Sequence, residues 1–361
     1  MQSYKIGSNE AGQRLDKFLH KFMPSAGNGF LYKMLRKKNI TLNGKKAEGK
    51  ELLSVGDTVS FFFSDETFYS FTGRTVTAFL SADKASLSAG NRQADKPKGS
   101  SINHEADKWA EYKNAYKQLK GISVIYEDEH ILILNKPAGI LTQKADRKSL
   151  SLNEWMIGYL LSHNRLSEET LFTFKPSVQN RLDRNTSGLV LCGISLSGSQ
   201  LLSRLIHDRS IKKYYIAIVK GKLLKAGEIN GFLTKDERTN RVQIVKEAGS
   251  AIKTAYRPLS FCNDCTCLEV ELITGKTHQI RAHMANIGHP LLGDGKYGDS
   301  AWNAEYRKKY PIAHQLLHAA RVEFPPLAPP FASLSGQIFK APLPPVFEEV
   351  LTHGNMEFQR S

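Results

Sequence analysis

Between Ser81 and Lys108 the chain is built mostly from Ser, Ala, Asp, Lys, Gly and Asn, and no apolar residue recurs at helical or strand spacing. Such a stretch cannot bury enough apolar surface to offset the entropy lost on ordering it. It reads as a linker, set within a looser interval over residues 65–120, so the chain must fold as separate parts on either side. Trp109, Tyr112, Tyr116 and Leu119, spaced by three and four, predict a short amphipathic helix near the end of the interval. The length, 361 residues, suits two or three domains of about 150 residues each.

Residues 1–64 read as a small basic α+β module. Leu15, Phe18, Leu19 and Phe22 give a first helix, Phe30 to Lys38 a second, and short strands follow around Ile40 to Leu42 and Val59 to Phe63. Asn43-Gly44 is a hairpin turn signal. The module holds eleven Lys and Arg against five Asp and Glu, a net +6. Lys33, Arg36, Lys37, Lys38, Lys45 and Lys46 fall within fourteen residues, which is either a solvated basic face or the footprint of phosphate-backbone contact.

Residues 121–361 mix strand-like runs (Ile131 to Leu134, Leu189 to Ile194, Tyr214 to Val219, Leu268 to Ile273) with helical ones such as Leu201 to His207. The strands do not alternate with long helices, so the expected fold is α+β with a mixed, largely antiparallel sheet. Seven of the fourteen prolines lie between Pro325 and Pro345, which predicts an extended carboxyl end and no helix there.

The net charge of +15 and pI of about 9.5 suit a polyanionic partner, either nucleic acid or an acidic membrane surface. No apolar run approaches the roughly 18 to 20 residues that cross a bilayer, and Met1 to Phe18 carries polar residues where a signal peptide is apolar. The basic helix from Phe30 to Lys38 is too short for a membrane-surface helix. The expectation is a cytoplasmic protein with no membrane partner. Cys262, Cys265 and Cys267 offer three thiols for zinc, but no second Cys or His pair stands at finger-like spacing, and alternation of Thr266, Leu268, Val270 and Leu272 reads more simply as a strand. No metal site is expected.

Two segments carry chemistry. Arg181-Leu182-Asp183-Arg184-Asn185-Thr186-Ser187-Gly188 sets one carboxylate between two arginines just before an apolar strand. A carboxylate so placed can act as nucleophile or base. On this stretch alone the plainer reading, a turn residue paired with its arginine neighbours, is favoured. The second segment, Thr274 to His283, contains Gly275-Lys276-Thr277, but Val270 stands where a P-loop needs its first glycine, and His278 and His283 are five apart, off the one-face spacing of a helical metal pair. Gly288-His289-Pro290 and Gly293-Asp294-Gly295-Lys296-Tyr297-Gly298 read by themselves as tight turns.

Together, however, these motifs resemble the RluA-type family of RNA pseudouridine synthases, with Asn135-Lys136-Pro137-Ala138-Gly139 similar to its first motif and Leu317-His318-Ala319 with Phe324 to its last. The resemblance covers roughly Gly121 to Pro345, in matching order and spacing. Residues 1–64 resemble the small RNA-binding module shared with a ribosomal small-subunit protein. The resemblance implies that a uridine in RNA is detached from its ribose at nitrogen, turned over and rejoined through carbon, without a cofactor. It gives Asp183 as the essential carboxylate, attacking sugar or base or removing a sugar proton; Arg281 as its pairing arginine; and Tyr215 as the ring that stacks on the target base and assists the last proton removal. Arg181 matches the arginine that fills the gap left by a flipped nucleotide. Arg184, Lys276 and His278 are further candidate RNA contacts, as are Lys33, Arg36, Lys37 and Lys38 in the basic module.

Asn180, Asn185 and Lys276 depart from the His, Asp and Arg common in the family, and Lys276 loses bidentate geometry. The expected domains are 1–64 as RNA-binding module, 65–120 as linker and 121–361 as catalytic domain, acting as a monomer on RNA, most readily large-subunit ribosomal RNA. The rival readings are a synthase directed at tRNA and a non-catalytic RNA-binding or ribosome-assembly protein.

Overall fold

The computed structural model describes residues 1–72, 103–167, 170–236, 241–245, 247, 249–261 and 264–353. The linker expected over 81–108 lies outside these as far as residue 102. Two compact units result. The first holds Met1–Asn114, Ile157–Pro176 and Ile194–Gly198; the second holds Ala115–Met156, Ser177–Gly193 and Ser199–Ser361.

In the first unit the chain runs β1 (Gln2–Lys5), α1 (Leu15–Phe22), α2 (Asn28–Arg36), β2 (Ile40–Leu42), β3 (Lys45–Lys46), β4 (Thr58–Phe61) and α3 (Asp65–Thr72). The strands form an antiparallel sheet in the order β1-β4-β2-β3. Leu15, Phe18, Leu19 and Phe22 are all buried, as their spacing predicts. Asn43 and Gly44 take φ of 51° and 72° between the paired residues Leu42 and Lys45, the left-handed pair that a two-residue hairpin needs. Helix α2 begins two residues before the expected Phe30 and ends at Arg36; Lys37 follows as its cap, and Lys38 turns the chain at φ 60°. Helix α3 falls in the interval that the sequence assigned to the linker. It forms because Phe68 is buried against the rings of Phe22 and Phe61.

The chain continues through α4 (Asn103–Gln118), β5 (Ser123–Glu127), β6 (Ile131–Lys136), α5 (Leu152–Ser162), α6 (Thr170–Thr173), β7 (Ser177–Val178), β8 (Ser187–Gly193), α7 (Leu196–His207) and β9 (Lys212–Lys220). Then come β10 (Gly227–Asp236), β11 (Arg241–Val245), β12 (Ser250–Phe261), β13 (Cys265–Leu272), α8 (Gln279–Asn286), α9 (Ser300–Arg307), β14 (Leu317–Glu323), β15 (Ile338–Lys340) and α10 (Pro345–His353). The second unit is built on one sheet in the order β11-β10-β12-β13-β9-β14-β8-β6-β5, with β15 added to β14 and β7 to β8. Its pairs are antiparallel except β14 with β8, so the sheet is mixed and largely antiparallel, as expected.

That parallel joint, with His318 opposite Ser187 and Ala319 opposite Gly188, depends on a glycine. Gly188 has φ +111°, and a Cβ there would stand 2.2 Å from the Ala319 carbonyl oxygen. Three apolar clusters pack on the sheet, one around Ile133, Leu189, Leu191 and Leu202, one around Ile218, Cys267, Leu292, Trp302 and Phe347, and a small one of Leu233, Val242, Ile252 and Ala282, among the described residues.

The proline-rich stretch is irregular up to β15 apart from a 3-10 turn at Ala332–Leu334, and that turn with α10 corrects the expectation that it contains no helix. Pro345 takes the first helical position, where a missing N–H costs nothing, and Phe347, Val350 and Leu351 are buried. Burial pushes the Cys267 thiol on β13 up to about 12, against the thiolate a zinc ligand must provide; Cys262 lies outside the described residues.

Candidate active site

The loop between β7 and β8 carries Asp183, and it is stapled in place by the turn after β6. Thr142 Oγ1 donates to the Leu182 carbonyl (2.8 Å) and accepts from the Leu182 N–H (3.1 Å). Gly139 N–H donates to the Arg184 carbonyl (2.9 Å), while Arg184 Nε donates to the Gly139 carbonyl (3.0 Å). Beneath the loop Lys136, fully buried, donates to the carbonyls of Pro137, Ile140 and Arg184 at 3.0, 2.9 and 3.1 Å. Burial pushes its pKa down to about 7 against the opposing pull of Asp183. The backbone on both sides of Asp183 is therefore fixed by groups that the carboxylate itself does not touch.

Asp183 meets Arg281 across 98 residues of sequence, Nη1 donating to Oδ2 at 2.9 Å. Arg281 comes from α8, whose start is set by Gln279. The Gln279 amide accepts from the Lys276 N–H and from Thr274 Oγ1, and donates to the Lys253 carbonyl and to Thr254 Oγ1. The rest of the Arg281 fork is engaged by Asp294, with Nε to Oδ2 at 2.7 Å and Nη2 to Oδ1 at 2.8 Å. Asp294 is fully buried and also accepts from the N–H groups of Lys296 and Tyr297. Burial works against both charges, yet the hydrogen bonds between them hold the Asp294 carboxyl below its usual range and raise the guanidinium's pKa above its own. The arginine is thus a fixed cation, aimed at Asp183 by a second carboxylate.

His278, left-handed at φ 54°, stands beside this pair. Its Nδ1 is 3.0 Å from the Tyr297 hydroxyl, and the Tyr297 oxygen accepts from the Val242 N–H at 2.9 Å. The other ring nitrogen, Nε2, is 3.8 Å from Asp183 Oδ2. Burial lowers its pKa, with Asp183 pulling the other way and Arg281 adding to the fall, so at neutral pH the ring faces Asp183 uncharged.

Tyr215, on β9, is buried against the same site, and burial with the nearby Asp183 charge raises its phenol pKa. Asp183, Tyr215 and Arg281 line one small recess of about 50 Å³. The recess opens into a cleft of about 600 Å³. Of the expected RNA contacts, Arg181, Arg184, Lys276 and His278 all line this cleft. Lys33, Arg36, Lys37 and Lys38 lie exposed at the end of α2 in the first unit. Asn180 also lines the cleft, and its side chain accepts from the Leu191 N–H (2.7 Å) and donates to the Leu189 carbonyl (3.3 Å); that departure from the family pattern serves the start of β8.

Sequence reasoning did not assign roles to Lys136, Thr142, Asp294, Tyr297 or Lys213. The signal available for Asp294 was an acidic residue between two glycines in a motif otherwise read as a turn. Among the described residues no group of three His, Cys, Asp or Glu is arranged to hold a metal ion, and no helix is long and apolar enough to cross a membrane.

Residues 130–286 match the family described as RNA pseudouridylate synthase. The chain is 31% identical over 290 residues to the ribosomal large subunit pseudouridine synthase C of Rickettsia prowazekii, covering 79% of this chain and 82% of that protein. It is 27% identical over 325 residues to the enzyme of the same description from Vibrio cholerae, covering 90% and 89%. Among solved structures, human RNA pseudouridylate synthase domain containing 4 shares the fold at TM-score 0.53 and 20% identity, over 69% of this chain and 99% of that one.

Proposed function

The chain belongs to the RluA-type RNA pseudouridine synthases, and from that premise we propose that Asp183 initiates the isomerisation of uridines flipped into the cleft, in large-subunit ribosomal RNA. The observation that carries the reading is Arg281, fixed by Asp294 and turned onto Asp183 at the end of a cleft lined by cations. A carboxylate placed there can reach the anomeric carbon, the uracil ring or a sugar proton, and Arg281 fixes its orientation for each route.

Tyr215 supplies the ring on which the extruded base stacks. Burial and the Asp183 charge raise its phenol pKa, so the resting hydroxyl is protonated and can donate a hydrogen bond, and Tyr215 assists the last proton removal from that form. Arg181, exposed at the mouth of the cleft, takes the space the flipped nucleotide leaves in the RNA. Arg184 and Lys276 contact the backbone. The small unit carrying Lys33, Arg36, Lys37 and Lys38 adds affinity for long RNA, with residues 1–64 as binding module, 65–120 as linker and 121–361 as catalytic domain.

The choice of ribosomal RNA follows the substrates named for the relatives from Rickettsia prowazekii and Vibrio cholerae. Mapping pseudouridine in ribosomal RNA and tRNA from cells with and without the protein tests it. Loss of one or more sites in large-subunit RNA is the expected result. Loss confined to tRNA would move the substrate, and no loss in either would leave the non-catalytic rival standing.

A further inference from the structure

Lys213 stands on β9 two residues before Tyr215, so the two side chains leave the same face of the sheet. Tyr214 between them projects the other way, where the Arg321 guanidinium stacks on its ring at 3.8 Å. Lys213 is 8% exposed and lines the cleft together with Asp183 and Tyr215.

Two buried lysines can be compared here. Lys136 is satisfied by three backbone carbonyls. The Lys213 side chain forms no hydrogen bond or ion pair among the described residues; burial lowers its pKa, and the like charge of Arg209 adds to the fall. Its stem is buried while the residue lines the open cleft, so the ammonium is only partly desolvated and is left for water or an incoming anion to satisfy. The remaining charges of the cleft indicate what completes it. Lys144, Arg181, Arg184 and Lys276 also line it, and its one carboxylate, Asp183, is taken by Arg281.

We propose that Lys213 is a substrate-binding residue that grips one phosphodiester of the RNA, beside the nucleotide whose base lies on Tyr215. Two residues along a strand span about 6.6 Å, a distance that separates the backbone of a bound nucleotide from its base. The proposal rests on reading the cleft as the uridine site, and it adds a contact that fixes the extruded nucleotide at its backbone.

The test uses the full chain and an unmodified transcript of large-subunit ribosomal RNA. Lys213→Met keeps the buried stem and removes the charge. The expected result is affinity weaker by about tenfold and a log–log salt dependence shallower by about 0.7, the share of one phosphate contact on a single strand, with KM rising more than kcat falls. The thermal midpoint of the free variant should hold or rise slightly, because a partly desolvated charge without an anion is gone; a merely structural lysine would give the opposite sign. An unchanged salt slope, or a lower midpoint with unchanged affinity, would overturn the proposal. Should Lys213→Met fail to fold, Lys213→Gln takes the same measurements. A parent protein that binds the transcript yet forms no pseudouridine would defeat the enzymatic reading alone, since the salt slope still decides the phosphate contact.

Discussion

Asp294 and Asp183 hold one guanidinium from two sides: Arg281 gives its Nε and Nη2 to the buried Asp294 and its Nη1 to the partly exposed Asp183. The two carboxylates differ in what they do for the protein. Asp294 is an internal counter-charge with its lone pairs satisfied by arginine and backbone; Asp183 is the one that faces the cleft.

Asp183→Asn keeps the side chain's shape and removes its charge. Turnover should fall below detection, RNA affinity should stay within several-fold, and stability should change by less than about 1 kcal/mol, as for a partly exposed ion pair. Pseudouridine formation and urea unfolding, measured on the same preparation, check both halves. Residual turnover above a few per cent would remove Asp183 from its role.

Arg281→Met acts on stability as well as on turnover. It strands Asp294 as a buried charge without a partner, a change that costs about 3 to 5 kcal/mol. The urea midpoint should drop steeply in this variant while that of Asp183→Asn hardly moves. Equal midpoints would mean that Asp294 is satisfied by its backbone donors alone.

Tyr215→Phe retains the ring and should retain RNA binding. If the phenol works as a neutral donor, the variant loses rate by a similar factor at every pH from 6 to 9. A loss that grows with pH would show that a phenolate carries the step.

Neutralising Lys33, Arg36, Lys37 and Lys38 together should weaken binding to long RNA and flatten its salt dependence, each lost phosphate contact removing about 0.7 to 0.9 from the slope. Turnover of a short stem-loop at saturation should hardly change. A salt slope equal to the parent's would make the patch a solvated face.

Stability should fall in mild acid. Burial pushes His283 and His318 down to about 4, and it lowers His278 as well. Between pH 6.5 and 4 the unfolded chain therefore binds protons that the folded protein refuses at His283 and His318, so stability drops as pH falls, by about 1.4 kcal/mol per pH unit for each of those two. His318 accepts from Ser187 Oγ at Nδ1, 2.8 Å away, in its neutral form. Urea midpoints at pH 7.5 and 5.0 should differ less in His318→Gln than in the parent; an identical difference would mean that His318 does not contribute.

The trio Asp183, Tyr215 and Arg281 was legible because each sits in a short motif whose order along the chain is distinctive. Asp294, Lys136 and Thr142 were not, because nothing local marks their work. Lys136 reaches Arg184 across 48 residues, and Thr142 reaches Leu182 across 40. Lys213 reads as an ordinary strand-end lysine until β9 is seen to form the wall of the cleft. Local pattern also failed where tertiary packing overrode it, in α3 through Phe68 and in α10 through Phe347. Strand positions along the sheet were read well, since continuous apolar runs such as Ile131 to Leu134 and Leu189 to Cys192 are buried along their whole length.

The insertion of β14 between β8 and β9 bears on the order of events during synthesis. Strands β5, β6 and β8 can pair as they emerge, and β9 can pair with β13 well before Leu317 is made. Until Leu317–Glu323 arrives, the nascent chain holds two partial sheets, each with an unpaired edge. The loop bearing Asp183 and the strand bearing Tyr215 belong to different halves of that divided sheet. The recess they line therefore closes only once Leu317–Glu323 is seated between β8 and β9.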